Sequence, residues 1–242
     1  MSRNDQQPCS PRRRWLLRGQ GMALALVLVA LLVVIHYWPG LSGWAAYFGR
    51  SSSVFNFDQE SSYPLATPRE DIPGLTNFAP VSRNLYRAAA ADQVGYLEAR
   101  RMGIRTIVDL RQVRTSLPTV VGLGLNYVRI PANPAEIEDD EVADFLHVVR
   151  NPDLQPILVH CTYGSDRTGT MVAIYRVMEQ NWPVEDAALE LPRFGFHHVW
   201  VPLLQYLKTL NRAHINALAA TRPMPRIMHS PRDISTAKSP PK

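Results

Sequence analysis

The sequence predicts an α/β fold, a central mostly parallel sheet flanked by helices, preceded by one transmembrane helix. Three observations carry this expectation. Short apolar runs of strand length alternate with segments of helical spacing through the middle of the chain, the order that builds a parallel or mixed sheet with helices packed on it. One run, Pro156-Ile157-Leu158-Val159-His160, is apolar without alternation, as in a strand buried on both faces. Met22 to Ile35 is uninterrupted apolar sequence, and with Gly21 and His36-Tyr37-Trp38 it reaches 18 residues, about 27 Å of helix at 1.5 Å per residue.

Residues 1–18 form a basic N-terminus, with five Arg against Asp5. Arg12, Arg13, Arg14 and Arg18 precede the apolar run, while only Arg50 is basic over the thirty residues after it. The excess of cations assigns 1–18 to the cytoplasm and 19–38 to a signal-anchor helix, with the remainder on the far side of the membrane. A cleaved signal peptide is the competing reading, but its apolar region would be shorter and no Ala-x-Ala site follows Trp38. The string Arg12-Arg13-Arg14-Trp15-Leu16-Leu17 loosely fits a twin-arginine export signal, and Arg-rich anchors produce such strings by chance. Residues 39–80 are rich in Ser, Pro and Gly with scattered aromatics and no sustained period, which reads as a linker with a short docking segment near the domain.

The expected domain covers residues 81–218. Asn84 to Arg87 fits an edge strand, and Ala91 to Met102 has helical spacing with Gly103 as its stop signal. Ile104 to Leu110 and Leu125 to Ile130 are β-rich. Asp140 to Val149 reads as a helix with Val142, Phe145, Leu146 and Val149 on one face, and Thr168 to Gln180 as another with Met171, Ile174, Tyr175 and Met178 at three- and four-residue spacing. Val184 to Leu191 and Val201 to Leu218 supply further helices. Residues 219–242, with five prolines among Ser and basic residues, are expected to be a disordered tail.

Charge and cysteine usage exclude some functions. The formal charge is +5, but the basic residues gather at the two ends and leave 16 basic and 19 acidic residues between 19 and 218. A general nucleic-acid-binding surface is therefore disfavoured. Cys161 is the one cysteine beyond the apolar span, since Cys9 precedes it, so the exported part cannot form an internal disulfide. Either Cys161 is an inert buried residue or it is there for its chemistry. No metal or cofactor is implied, because the histidines, including the adjacent His197-His198, lack an i, i+4 His pair or a Cys-x2-Cys partner set.

The chemistry concentrates where the buried strand hands over to a helix. In an α/β sheet that turn is where ligands bind. From Cys161 through Thr162, Tyr163, Gly164, Ser165, Asp166 and Arg167 to Thr168, loop N–H groups and the helix N-terminus can point at one anion. Gly164 permits a bend that a side chain would obstruct. The same positive field favours Cys161 as a thiolate, able to attack phosphorus and form a cysteinyl-phosphate. Arg167 would grip two phosphate oxygens, and Thr168 can donate its hydroxyl to the Cys161 sulfur. His160 orders the loop through backbone hydrogen bonds.

Taken together, a buried strand followed by His-Cys-x5-Arg-Thr-Gly and an amphipathic helix resembles the cysteine-based protein tyrosine and dual-specificity phosphatase superfamily. Asp166-Arg167-Thr168-Gly169 narrows the resemblance toward bacterial and fungal dual-specificity-like members. It extends over about residues 81–205, with Asn84-Leu85-Tyr86-Arg87, Gly103 to Arg111 and Gly195-Phe196-His197-His198 similar to the flanking blocks. The resemblance implies a phosphate monoesterase with Cys161, Arg167 and Asp166 as catalytic residues, acting on a phosphorylated protein or, alternatively, on a phospholipid or phosphoinositide. With the signal anchor, it implies a single-pass protein of a bacterial inner membrane with its catalytic domain on the periplasmic side. A rhodanese is disfavoured because its anion loop is shorter; a catalytically silent phosphate-binding module is disfavoured because both Cys161 and Arg167 are present.

The general acid stays open. Many relatives place an Asp on a loop about thirty residues before the Cys, yet here that region is Arg129-Ile130-Pro131-Ala132-Asn133. Asp166 lies inside the phosphate loop and is favoured, since it is held beside Arg167. Asp139 and Asp140 stand at the start of a helix, where an N-cap or dipole role suits them equally. Asp109 ends a strand beside the site, and pairing with a nearby Arg suits it better.

Overall fold

The computed structural model describes residues 54–113, 116–133, 135–230 and 233. The expected N-terminus 1–18, signal anchor 19–38 and most of the linker lie outside the described residues. Among the described residues no helix is long and apolar enough to cross a membrane.

Among the described residues six strands form one sheet: β1 (Ala79–Pro80), β2 (Leu85–Ala88), β3 (Thr106–Asp109), β4 (Asn126–Arg129), β5 (Ile157–His160) and β6 (Ile227–Met228), in the spatial order β1-β2-β5-β3-β4-β6. The four inner strands are parallel. Leu85 and Thr106 flank Ile157, and Ala88 and Asp109 flank His160, so three carboxyl ends stop level with one another. The outer strands β1 and β6 run antiparallel to their neighbours. The expected edge strand near Asn84 is thus an inner strand, because Ala79-Pro80 pairs outside it. Pro80 is tolerated there, since an edge position asks for no N–H donor.

Helices α1 (Gln93–Arg101) and α2 (Leu117–Gly122) cover one face, and α3 (Asp139–Arg150), α4 (Asp166–Glu179), α5 (Val184–Ala188), α6 (Val201–Lys208) and α7 (Arg212–Thr221) gather on the other. Along β5, Ile157 and Val159 join Phe145, Leu146, Met171 and Leu204 in one core, while Leu158 joins Tyr96, Ile107 and Val120 in the second. A strand that feeds two cores has no polar face, hence its unbroken apolar run.

Three expectations are corrected. The apolar pattern over 201–218 belongs to two helices, because Asn211 caps α7 by accepting the His214 N–H at 3.1 Å; both helices face the same core, so the pattern runs on across the break. The described part of the linker, 54–80, is packed: Phe55 is buried, Tyr63 lies against Trp182 with ring centroids 4.6 Å apart, and Asp186 accepts the Ser61 hydroxyl and the Ser62 N–H. Its scattered aromatics bury surface without any period. The expected disordered tail begins too early, since α7 runs to Thr221, Arg222 pairs with Asp140 and Asp144, and Ile227-Met228 closes the sheet as β6.

Candidate active site

The loop from Cys161 to Ser165 leaves the end of β5 and enters α4 at Asp166. Gly164 makes the turn with φ of 73°. A Cβ there would stand 2.6 Å from the Ala88 carbonyl carbon and oxygen, so both the conformation and the space require glycine. The carbonyls of three consecutive loop residues are pinned from outside. Thr162 accepts the Ala90 N–H at 3.2 Å, Tyr163 accepts the Asn77 side-chain amide at 3.0 Å, and Gly164 accepts the Arg87 guanidinium at 2.7 Å. With its carbonyls tied back, the loop is held in one shape.

Arg87 is fully buried, with its guanidinium 3.6 Å over the Phe194 ring and 3.9 Å from the Glu190 carboxylate. Burial pulls its pKa down to about 10 against the pull of Glu190, so it stays charged at neutral pH. Glu190 is in turn held by Arg176. The loop therefore rests on a buried charge network. The sequence did not single out Arg87, although it lies in a block quoted for the resemblance.

His160 is also fully buried. Its Nδ1 lies 3.1 Å from the Cys161 carbonyl, to which it donates, and its Nε2 lies 3.0 Å from the Tyr96 hydroxyl. Burial lowers its pKa and outweighs the Asp109 carboxylate 3.8 Å away, so the ring is neutral and the contact is not an ion pair. The structure gives it the loop-ordering place expected of it. For Asp109, burial pushes the pKa up, but hydrogen bonds from the Arg111 side chain and main-chain N–H prevail and hold it below the usual range. Asp109 accepts from the Arg111 side chain at 2.8 and 2.9 Å and from the Tyr127 hydroxyl at 2.8 Å.

Cys161, Tyr163, Asp166, Arg167, His197, Val199 and Trp200 line one pocket of about 300 Å³. Cys161 is buried and has no disulfide partner among the described residues. Arg167 donates to the Leu110 carbonyl at 3.3 Å, the Ala132 carbonyl at 3.4 Å and the Thr162 hydroxyl at 3.4 Å. Bonds of that length place the guanidinium without saturating its five donors, which suits a group that must take an anion. Asp166, 8% exposed, accepts the His197 main-chain N–H at 2.8 Å, and the His197 ring Nδ1 lies 3.0 and 3.1 Å from its two oxygens. The Thr168 hydroxyl is buried without a hydrogen-bond partner, so the expected bond to the Cys161 sulfur is not formed.

The other carboxylates considered as acids face elsewhere. Asp139 accepts the Tyr206 hydroxyl at 2.6 Å and lies 3.2 Å from His214, and Asp140 lies 2.7 Å from Arg222. Neither caps α3; Glu138 does, in a reciprocal pairing with Glu141. Of Asp109, Asp139, Asp140 and Asp166, only Asp166 lines the pocket. His197, Val199 and Trp200 were not read as site residues, although His197 falls in one of the flanking blocks. A larger pocket of about 660 Å³, between residues 57–65 and 189–193, holds none of the expected site residues. Among the described residues no cluster of three His, Cys, Asp or Glu could hold a metal ion. The arrangement can bind a tetrahedral oxyanion beside a thiol, with a carboxylate and an imidazole at the rim.

A sequence model described as the tyrosine phosphatase family matches residues 73–220. The chain is 28% identical over 122 residues to the dual specificity protein phosphatase TpbA of Pseudomonas aeruginosa strain UCBPP-PA14, covering 50% of this chain and 55% of that protein. The chain spans about half the length of the first curated relatives it matches. Among solved structures, a cysteine-to-serine variant of P. aeruginosa TpbA in complex with pTyr superposes with a TM-score of 0.57 at 21% identity, covering 67% of this chain and 100% of that one. The core catalytic domain of the PP-IP phosphatase SIW14 from S. cerevisiae, in complex with citrate, superposes with a TM-score of 0.56 at 24% identity, covering 62% and 94%. These two likenesses show a shared fold.

Proposed function

The chain belongs to the tyrosine phosphatase family, and from that membership we propose that it hydrolyses phosphate monoesters through a cysteinyl-phosphate on Cys161, with a phosphotyrosine or dual-specificity phosphoprotein as substrate. One observation carries the reading: Cys161 and Arg167 line the same pocket, at the point where the pinned loop and the N-terminus of α4 meet. The Cys161 thiolate attacks phosphorus, the bond from phosphorus to the leaving oxygen breaks, and that oxygen takes a proton from the corner of the pocket formed by Asp166 and its partner His197. Arg167 and the loop N–H groups of residues 162–167 hold the phosphoryl oxygens as charge develops on them. Water then attacks phosphorus, returns a proton to that corner, and the sulfur departs.

Tyr163, 68% exposed, stands at the pocket with His197, Val199 and Trp200. A rim of rings and apolar surface suits an aryl ester better than a bare alkyl phosphate. The TpbA variant's complex with pTyr supports the same substrate class by analogy. We assign the domain to the periplasmic side of a bacterial inner membrane, tethered by residues 19–38, on the strength of the Arg cluster before the apolar run. Labelling of a cysteine introduced at Ser52 by a membrane-impermeant reagent in spheroplasts tests this, and a well-expressed protein that stays unlabelled contradicts it.

The activity itself is tested by assaying the full chain on p-nitrophenyl phosphate with and without vanadate, then on phosphopeptides and phosphoinositides. Vanadate-sensitive turnover with phosphotyrosine peptides preferred supports the proposal. Turnover confined to phosphoinositides moves the substrate to lipids, and no turnover on any of them leaves a silent phosphate-binding module.

A further inference from the structure

We propose that His197 is the proton donor to the leaving oxygen, with Asp166 as the group that orients it. The inference rests on the reading of Cys161 as nucleophile and concerns the other half of the reaction. Asp166 is nearly buried at the first turn of α4, and both of its oxygens are occupied: Oδ1 accepts the His197 main-chain N–H, Nδ1 of the ring reaches both oxygens, and the Ser165 hydroxyl lies 3.2 Å from Oδ2. A carboxylate so engaged has both oxygens committed to these donors. The His197 ring behaves in the opposite way. It lines the pocket and is 58% exposed; Nδ1 is spent on Asp166, and no described residue hydrogen-bonds to Nε2. Fixing one ring nitrogen on a carboxylate sets the tautomer and aims the other, the arrangement used wherever an imidazole transfers protons.

The chemistry favours the same assignment. With Nδ1–H held on Asp166, the ring can carry a second proton on Nε2 and offer it to the pocket. In the first step Nε2–H passes its proton to the ester oxygen as that oxygen leaves phosphorus, and sulfur takes its place. In the second, the neutral Nε2 accepts a proton from water as the water oxygen bonds to phosphorus and the sulfur–phosphorus bond breaks. The cycle closes with inorganic phosphate, free thiolate and imidazolium. The groups facing the ring are Asp166 from α4 and, across the pocket, Cys161, Tyr163 and Arg167 from the loop and helix, with His198 next in the chain.

His197→Asn retains a side-chain N–H near Nδ1 for Asp166 but has no proton to give. Its kcat/KM should fall roughly 10²–10⁴-fold on phosphotyrosine peptides and phenyl phosphate, and less than about tenfold on p-nitrophenyl phosphate, whose leaving group needs no proton. His197→Gly with added imidazole should recover activity on phenyl phosphate. Equal losses on all three substrates, or no recovery with imidazole in a folded His197→Gly protein, would overturn the proposal and leave His197 as a support for Asp166. Rapid quenching with p-nitrophenyl phosphate keeps the two readings apart: phosphate trapped on Cys161 in His197→Asn shows that the nucleophile stands whatever becomes of the acid.

Discussion

Gly164 shows how closely a single position is specified. It needs a left-handed backbone and an absent side chain at once, because the chain of β2 passes directly behind it. Gly164→Ala should cost about 3 kcal/mol of stability, from backbone strain together with overpacking against Ala88 and Ala89. Activity should fall further than stability explains, since the displaced loop is the one proposed to hold phosphate. Chemical denaturation alongside turnover at a temperature where the variant is folded checks this; a folded variant with normal turnover contradicts it. At this scale Cys161 and Arg167 could be proposed from the sequence, because their spacing and the apolar run before them are local. His197 was not legible as a partner of Asp166. It lies 31 residues downstream, and only the turn at residues 192–195, where Gly195 adopts φ of 74°, brings it back to α4.

Among the elements, β5 was legible for the reason that makes it useful: an unbroken apolar run is the mark of a central strand, and a central strand delivers its loop to the meeting point of several carboxyl ends. The two-residue strands β1 and β6 were not, since two residues show no period. Helix α2 was missed because six residues beginning Leu-Pro give too short a pattern. The end of β5 also makes a prediction in pH. Burial lowers the pKa of His160 below the ordinary histidine value of about 6.5, so on acidification the unfolded chain takes up the proton first. The stability of the neutral ring is fully present above about 6.5 and is lost as pH falls from there toward the folded pKa. Asp109, also lowered, acts in a separate window beneath the carboxylate range. His160→Asn, which keeps a donor for the Cys161 carbonyl, should flatten the dependence of melting temperature on pH as it falls below about 6.5. An unchanged slope would show that another group sets it.

The whole molecule is larger than its expected domain. Residues 54–80 bring Phe55 into one core and Leu75 and Phe78 into the other, so a chain beginning at Val81 lacks parts of both. A fragment of 81–242 should melt without cooperativity or precipitate, while one of 54–242 should melt in a single transition; equal melting of the two would show the segment to be an appendage. Phe55→Ala alone should cost about 3 kcal/mol. The mostly parallel sheet was foreseeable from alternating strand and helix patterns, but its boundaries were not, because aromatic anchors in an irregular segment carry no periodic signal. Everything in this architecture converges on one sulfur atom at the end of the central strand. Rapid quenching of the enzyme with labelled p-nitrophenyl phosphate, followed by mapping of the labelled peptide, tests that convergence most directly. The account predicts phosphate on Cys161, none in Cys161→Ser although that variant still binds vanadate or phosphate, and in Arg167→Lys a loss of both turnover and phosphate binding. Phosphate trapped on any other residue, or full turnover in Cys161→Ser, would contradict it.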